Sequence, residues 1–424
     1  MKTEKELEWL YGLERFGIKP GLAVMEQMME ALGHPERAFQ SIHVTGTNGK
    51  GSVCAMVESV LRNAGYNTAM YTSPHLYTFH ERIRVGGANI DNDVFLRLVA
   101  EIRAVCETHN IHPTFFEFTT ALAFLHFSRS NIDIAIIEVG MGGRYDATNV
   151  ITPVVSVITN IGMDHMDYIG PTKQHIAREK AGIIKEGVPV VTGEKDPQLL
   201  KIFEQEAALQ HTQITRAQDV VRVQQESSDE HGQEVIVSGE YAGNVHLPLL
   251  GEHQLRNLET ALAVISLFSL SSHALTWEVI ASGIESTVWE GRMHIISQKP
   301  RIVIDGAHNA DGARALAAFL KTLDRHDVIV VAAKRGKDIA DMAEKVIPLF
   351  SHVIVTEGSY MPESADVLAK RFTDTGISAV CSEPNVGQAI LDGMKLAGPN
   401  GTLVITGSLY MVADALAYLR SINV

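Results

Sequence analysis

The sequence predicts an α/β protein of two domains, each a mostly parallel sheet with helices on both faces. Three observations carry that expectation. Continuous β-branched runs alternate with helix-period stretches, the pattern of strands buried on both faces. The alternation occurs twice, separated by a polar, turn-rich stretch. At 424 residues the chain is also longer than one ordinary domain.

The first series of strands reads "SIHVTG" (41–46), "TAMYTS" (68–73), "IDIAIIEVG" (132–140) and "PVVSVITN" (153–160). Helical stretches such as "GSVCAMVESVLRNAG", "FEFTTALAFLHFSRS" and "KQHIAREKAGIIKEG" lie between and after them. Over residues 215–250 polar alternation and turn residues predict β-hairpins at one edge, followed by the helix "HQLRNLETALAVISLFSL". Beyond "WEGRMHIISQKP" the rhythm restarts with "RIVIDGAH", "DVIVVAAK", "HVIVTEG", "ISAVCS" and "GTLVITGS", each leading into a helical segment. These runs predict a second, Rossmann-like domain, so the expected units are residues 1–295 and 296–424. A cleft between them is the default site.

Composition excludes several classes of function. Hydrophobic content is 46% and charged content 20%, the profile of a soluble protein with a substantial core. A formal net charge of −14 argues against non-specific nucleic-acid binding. Cys54, Cys106 and Cys381 form no CxxC pair, which fits a reducing compartment and excludes a thiolate zinc site. The N-terminus is charged throughout, and no apolar run approaches the roughly 18 residues of a membrane span. A cytoplasmic enzyme without membrane partners is expected.

Ligands of open parallel sheets bind beyond the carboxyl ends of the strands, and polar chemistry collects at those ends here. The first strand runs into "TGTNGKGS", which departs from G-x-x-x-x-G-K-[ST] because Val44 occupies the first glycine position and Ser52 follows Gly51. A glycine-rich turn before a helix still presents backbone N–H groups to an anion, so this strand-turn-helix predicts a P-loop-type domain. Lys50 would add a point charge, and Ser52 a hydroxyl near a metal ion. The third strand ends in Glu138, suited to a hard cation shared with phosphate oxygens. The fourth ends in "IGMDHMD", which brings Asp164, His165 and Asp167 to the same edge. In the second domain "VIDGAHN" offers Asp305, His308 and Asn309, and "TGSLYMV" offers Gly407 and Ser408; helix capping accounts for these equally well. Lys180, beside Glu179, reads from the residues alone as an exposed solubilising lysine.

Together "TGTNGKGS", "TSPHL", "EVGMGGRYDATN", "IGMDHMDYIG", "EKAGI", "HQLRN", "GR" (291–292), "DGAHN" and "GSLYMV" resemble, in order, the motifs of folylpolyglutamate and dihydrofolate synthases, the folate branch of the Mur ligases. The resemblance spans nearly the whole chain. It implies that ATP phosphorylates a carboxylate and that the amine of L-glutamate attacks the acyl phosphate. It also implies roles. Thr47, Asn48, Gly49, Lys50, Gly51 and Ser52 would cradle the triphosphate. Ser73, Glu138 and His165 would hold magnesium, two ions being expected. Lys180 occupies the position of a carbamylated lysine. Asn257, Arg292 and Asp305 would grip the nucleotide, while His308 and Ser408 would face the incoming glutamate or the phosphates. Phe115, Phe116, Tyr145, Asp146 and Ala147 lie where dihydropteroate contacts are expected, although both phenylalanines read equally well as core.

Two positions depart from the family pattern. The linker reads Trp289-Glu290-Gly291-Arg292 where proline is usual in place of Glu290, and "TEGSYMPESADVLA" lacks an Arg-Ala pair. The base that receives the amine proton stays open between His308 and substrate carboxylates, with carbamylated Lys180 less suited. The acceptor also stays open: a folate, dihydropteroate, or both. A cell-wall Mur ligase and a non-ligase ATP-switched binding protein are the rival readings. Two domains around one cleft need no partner chain, so a monomer is expected.

Overall fold

The computed structural model describes residues 2–13, 21–271, 275–377 and 380–424. The N-terminal domain is built on strands β1 (Gln40–Thr45), β2 (Thr68–Tyr71), β3 (Ile83–Val85), β4 (Ala88–Asn89), β5 (Ile134–Glu138), β6 (Val155–Ile158), β7 (Val190–Thr192) and β8 (Ile214–Arg216). They form one sheet in the order β4-β3-β2-β5-β1-β6-β7-β8. All pairs from β2 through β8 in that order are parallel, and β3 and β4 add an antiparallel edge. The expected strands are β1, β2, β5 and β6. The other four are two or three residues long, too short to carry a period.

Alternation along the central strands feeds two cores. Ile134 and Ile136 join Ile42 and Val44 on one face, against the helices Lys50–Asn63 and Glu252–Ser271. Ala135 and Ile137 point to the other face, against the helices Asn92–His109 and Phe115–Ser128. The latter helix starts at a reciprocal cap, in which Thr114 Oγ1 accepts from the Glu117 N–H and the Glu117 carboxylate accepts from the Thr114 N–H. The predicted hairpins are the antiparallel strands β9 (Val221–Ser228), β10 (Gln233–Gly239) and β11 (Gly243–Leu247). Val235, Val237, Val245 and Leu247 turn inward to the first core, while alternate β10 residues are exposed.

The C-terminal domain contains β12 (His294–Gln298), β13 (Arg301–Ile304), β14 (Val328–Val331), β15 (His352–Val355), β16 (Val380–Ser382) and β17 (Thr402–Thr406), in the order β12-β13-β17-β14-β15-β16. Only β12 is antiparallel; it was not anticipated from sequence, because its residues are half-exposed without clean alternation. The boundary expected at residue 296 falls inside this strand. Of "ISAVCS", Ser378 and Ala379 lie outside the described residues. Among the described residues no helix is long and apolar enough to cross a membrane.

The chain crosses from one side of β1 to the other between β5 and β6, so β1 is a topological switch point with a crevice at its carboxyl end. The carboxyl-end loops of β13 and β14 meet that crevice from the second domain, as the contacts below show.

Candidate active site

The loop after β1 is shaped by two glycines with positive φ, Gly46 at 154° and Gly49 at 81°. Gly49 sits at the N-cap of the helix Lys50–Asn63 with no side-chain cap, so the helix amides face the loop. A Cβ on Gly49 would strike the Asn257 side chain, so Asn257 abuts the loop. Thr47 Oγ1 donates to the Gly162 carbonyl at 3.1 Å and accepts from the Gly162 N–H at 2.9 Å. Thr159 Oγ1 donates to the Asn48 carbonyl at 2.6 Å, which ties the loop to the segment after β6. Lys50 folds over the loop with Nζ 3.1 Å from the Gly46 carbonyl, and Ser52 is buried in the first helical turn.

Glu138 ends β5 in register with Val44 and is 5% exposed. Its Oε2 accepts the Ser73 N–H at 3.0 Å, so Ser73 meets this carboxylate through its main chain. Burial raises the Glu138 pKa, against the pull of Lys50, the Ser73 N–H and Arg292. A buried carboxylate held among cations beside a phosphate loop suits magnesium that takes its remaining ligands from substrate phosphates and water. Among the described residues no three His, Cys, Asp or Glu side chains are placed to hold a metal ion by themselves. His165 has a left-handed backbone (φ 52°) and a partly buried ring 3.9 Å from Asp164 Oδ1. Its pKa is held down at about 4, by desolvation against the attraction of Asp164, with Lys337 and Lys50 adding repulsion.

Lys180 corrects the reading from residues alone. It is 4% exposed, and its Nζ donates to the Gly46 carbonyl at 2.9 Å. The helix Lys173–Ala181 buries Ile176, Ala177, Lys180 and Ala181, so the lysine lies on the inner face. The i, i+1, i+4, i+5 spacing of those residues was the available signal. Burial first, and Lys50 second, push the Lys180 pKa down to about 7.

The second domain brings the "DGAHN" loop against this edge. Asp305 Oδ2 accepts the Met293 N–H at 3.0 Å and Oδ1 the Ala307 N–H at 2.9 Å, which clamps the interdomain linker to the end of β13. Arg292 packs against Gly306, where a Cβ would meet its guanidinium. His308 places Nδ1 2.8 Å from the Gly306 carbonyl and Nε2 3.3 Å from Asp164 Oδ2. Both ring nitrogens face oxygen atoms, a backbone carbonyl and a carboxylate, which fix the orientation of the imidazole. Asn309 Nδ2 donates to Asn48 Oδ1 at 3.0 Å and to Asp164 Oδ2 at 3.1 Å. Burial would raise the Asp164 pKa, but His308, His165 and Lys337 together hold it far below the usual carboxylate range. Ser408 Oγ accepts the Met411 N–H at 3.0 Å and caps the helix Leu409–Ser421.

The residues expected near an acceptor separate into two kinds. Phe115 stacks on Tyr11 at 5.7 Å between ring centroids, with the Arg82 guanidinium over it at 5.4 Å. Phe116 packs against Gly140, whose missing Cβ makes room for the ring. Both phenylalanines rim the second core. Asp146 is saturated: Oδ1 accepts from the Thr148 N–H and hydroxyl, and Oδ2 from the Met141 N–H. It therefore shapes its loop, and Ala147 is buried beside it. Tyr145 is 53% exposed and rims a cavity of about 540 Å³ shared with Arg144, Asn149 and Lys185, which the phenylalanines do not reach.

Sequence reasoning missed Trp289 and Lys337. A Cβ on Gly51 would lie 2.5 Å from the Trp289 ring, so the linker tryptophan covers the phosphate loop directly. Lys337 Nζ lies 2.5 Å from Asp164 Oδ1. Its only signal was position, in a turn just past the predicted strand "DVIVVAAK".

Residues 44–265 match the Mur ligase middle domain, and residues 291–409 match the Mur ligase glutamate ligase domain. The chain is 35% identical to the dihydrofolate synthase/folylpolyglutamate synthase of Bacillus subtilis, over 97% of this chain and 98% of that one. It is 34% identical to the folylpolyglutamate synthase of Lacticaseibacillus casei, over 91% of each. The fold superposes on Mycobacterium tuberculosis folylpolyglutamate synthase complexed with ADP and AMPPCP with a TM-score of 0.90, at 31% identity and 98% coverage of each chain.

Proposed function

On the premise that the chain belongs to the dihydrofolate synthase/folylpolyglutamate synthase family of Mur ligases, we propose that its cleft joins L-glutamate to a folate-type carboxylate at the expense of ATP. The enzyme is a C–N ligase that releases ADP and phosphate. The γ-carboxylate of a folylpolyglutamate is the acceptor; the carboxylate of dihydropteroate, giving dihydrofolate, is a second one. The observation that carries the reading is the meeting of the phosphate loop of one domain with the "DGAHN" loop of the other, through Asn48 and Asn309.

An acceptor carboxylate oxygen attacks the γ-phosphorus of ATP and ADP leaves, giving an acyl phosphate. The amine of glutamate attacks the acyl carbon, phosphate leaves and one proton is lost. The loop amides from Thr47 to Ser52, with Lys50, neutralise the phosphates. Asn257, Arg292 and Asp305 flank the nucleotide, Asp305 by fixing the linker that carries Arg292. Glu138, with Ser73 beside it, and His165 would hold magnesium, which would supply positive charge on the transferring phosphoryl group. His308 faces the incoming glutamate or the phosphates, and the amine proton goes to His308 or to substrate carboxylates. Closure of the cleft excludes water from the acyl phosphate.

The buried Lys180 amine, with its pKa near 7, is substantially neutral at physiological pH and open to carbon dioxide. Carbamylation of the neutral amine forms an N–C bond and releases one proton, so an anion stands close to Gly46. Phe115, Phe116, Tyr145, Asp146, Ala147 and Ser408 are the acceptor and glutamate side of the site, with Asp146 and Ser408 holding its loops in place. Every group named comes from one chain, so a monomer suffices.

The test is an assay of ADP and amide with dihydropteroate or tetrahydrofolate, each with and without L-glutamate. Amide formed one-for-one with ADP is expected. ADP release that needs neither glutamate nor acceptor would point to an ATP-driven switch, and no amide with either acceptor would overturn the assignment.

A further inference from the structure

We propose that Asp164 is a positioning residue of the ligase reaction: it fastens two loops of the C-terminal domain to the phosphate loop, so that the cleft is shut while the acyl phosphate exists. The proposal rests on the ligase reading above and adds a role for a residue that reading leaves unused.

Both oxygens of Asp164 are engaged. Oδ1 accepts from Lys337 Nζ at 2.5 Å and from the His165 N–H at 2.8 Å. Oδ2 accepts from Asn309 Nδ2 at 3.1 Å and faces His308 Nε2 at 3.3 Å. His308 and Asn309 follow β13, whereas Lys337 follows β14, so one carboxylate of the first domain gathers two separate loops of the second. The attachment continues inward through hydrogen bonds. Gly162, two residues earlier, exchanges two hydrogen bonds with Thr47, and the Asn48 N–H donates to Asn160 Oδ1 at 3.0 Å. Asn309 also reaches Asn48 directly. At Gly162 the domains are so close that a Cβ would overlap the Asp311 carboxylate.

The Asp164 side chain is 8% exposed, so loss of its charge leaves Lys337 and the His308 ring of the second domain without the buried carboxylate that ties them to the first. The domains would then part at the point where the phosphate loop meets them. Water reaches the acyl phosphate when they do, cleaving it to carboxylate and phosphate before glutamate attacks. The distinctive consequence is uncoupling, with more ADP formed than amide.

The experiment compares the full-length wild type with Asp164→Asn, Lys337→Gln and the double variant. ADP and amide are measured in the same reaction with ATP, L-glutamate and whichever acceptor the wild type uses. Amide turnover should fall about 10- to 100-fold in each single variant, as a displacement of about 1 Å in a positioned site does. The ADP-to-amide ratio should rise well above one while KM for ATP changes less than about threefold. Because the two groups act through one contact, the double variant should be no worse than the poorer single one. Far-UV circular dichroism and Tm check folding; if Asp164→Asn does not fold, Lys337→Gln, at the less buried partner, carries the test. Losses that multiply, or a ratio that stays at one, would overturn the proposal while leaving the ligase assignment standing. Absence of amide from the wild type would remove both.

Discussion

Lys180 Nζ lies 2.9 Å from the carbonyl oxygen of Gly46, so a lysine from a distant helix touches the phosphate loop as closely as the loop's own Lys50 does. That contact is possible because the amine is buried, and burial is also what brings its pKa down to about 7.

Replacing Lys180 with alanine should lower amide turnover about 10- to 100-fold, the usual cost of losing a group that orients a charged site. Excess bicarbonate should not restore it. Lys180→Arg, which keeps the charge but cannot form a carbamate, should be equally impaired. Wild-type enzyme in ¹³C-bicarbonate should give a carbamate resonance that Lys180→Ala lacks and that strengthens as the pH rises through about 7. Full activity of Lys180→Ala would assign the residue to packing alone.

Glu138→Gln keeps the shape and leaves an oxygen to accept the Ser73 N–H, so the fold should survive. Charge toward the cation is lost, and turnover should fall at least about 100-fold, with a higher magnesium requirement. A magnesium titration of ADP release measures this; an unchanged curve would separate Glu138 from the metal.

Gly51→Ala forces a methyl group toward the Trp289 ring, 2.5 Å away before relaxation. Overpacking of this kind costs about 1–3 kcal/mol and should displace the linker. Nucleotide affinity, read by calorimetry, should drop, and adding Trp289→Leu should recover part of it. If the double variant is no better than Gly51→Ala, the clash lies elsewhere.

His43 gives a pH prediction. It is fully buried in β1, and burial first, then repulsion from Lys185, depress its pKa from 6.5 to about 3. Below pH 6.5 the unfolded chain binds a proton that the folded one refuses. The His43 contribution to stability is therefore complete above pH 6.5 and is lost as the pH falls toward 3. The slope approaches about 1.4 kcal/mol per pH unit for this one group. Urea midpoints at pH 7, 6 and 5 should fall in the wild type and fall less steeply in His43→Gln. Parallel slopes would show that His43 does not titrate with folding.

Much of the architecture was legible because the central strands carry strong signals. The run "IDIAIIEVG" is apolar on both faces and "SIHVTG" alternates apolar Ile42 and Val44 with polar residues, and the two became adjacent central strands. β3, β4, β7 and β8 were not legible, since two or three residues contain no measurable period. Of the site, Lys50, Ser52 and Glu138 could be placed from the chain alone, because a strand end fixes where the next side chains emerge.

The sequence by itself determined two α/β domains, a phosphate loop of unusual glycine spacing, and an ordered set of motifs specific to folate-type Mur ligases. Tertiary structure alone decided which polar groups meet. It buried Lys180 against Gly46, saturated Asp146 within its own loop, and brought Asp164 of one domain to His308, Asn309 and Lys337 of the other. Periodicity reports which face of an element is apolar, whereas a charged contact across domains is set by how two whole sheets are oriented, and no local pattern records that.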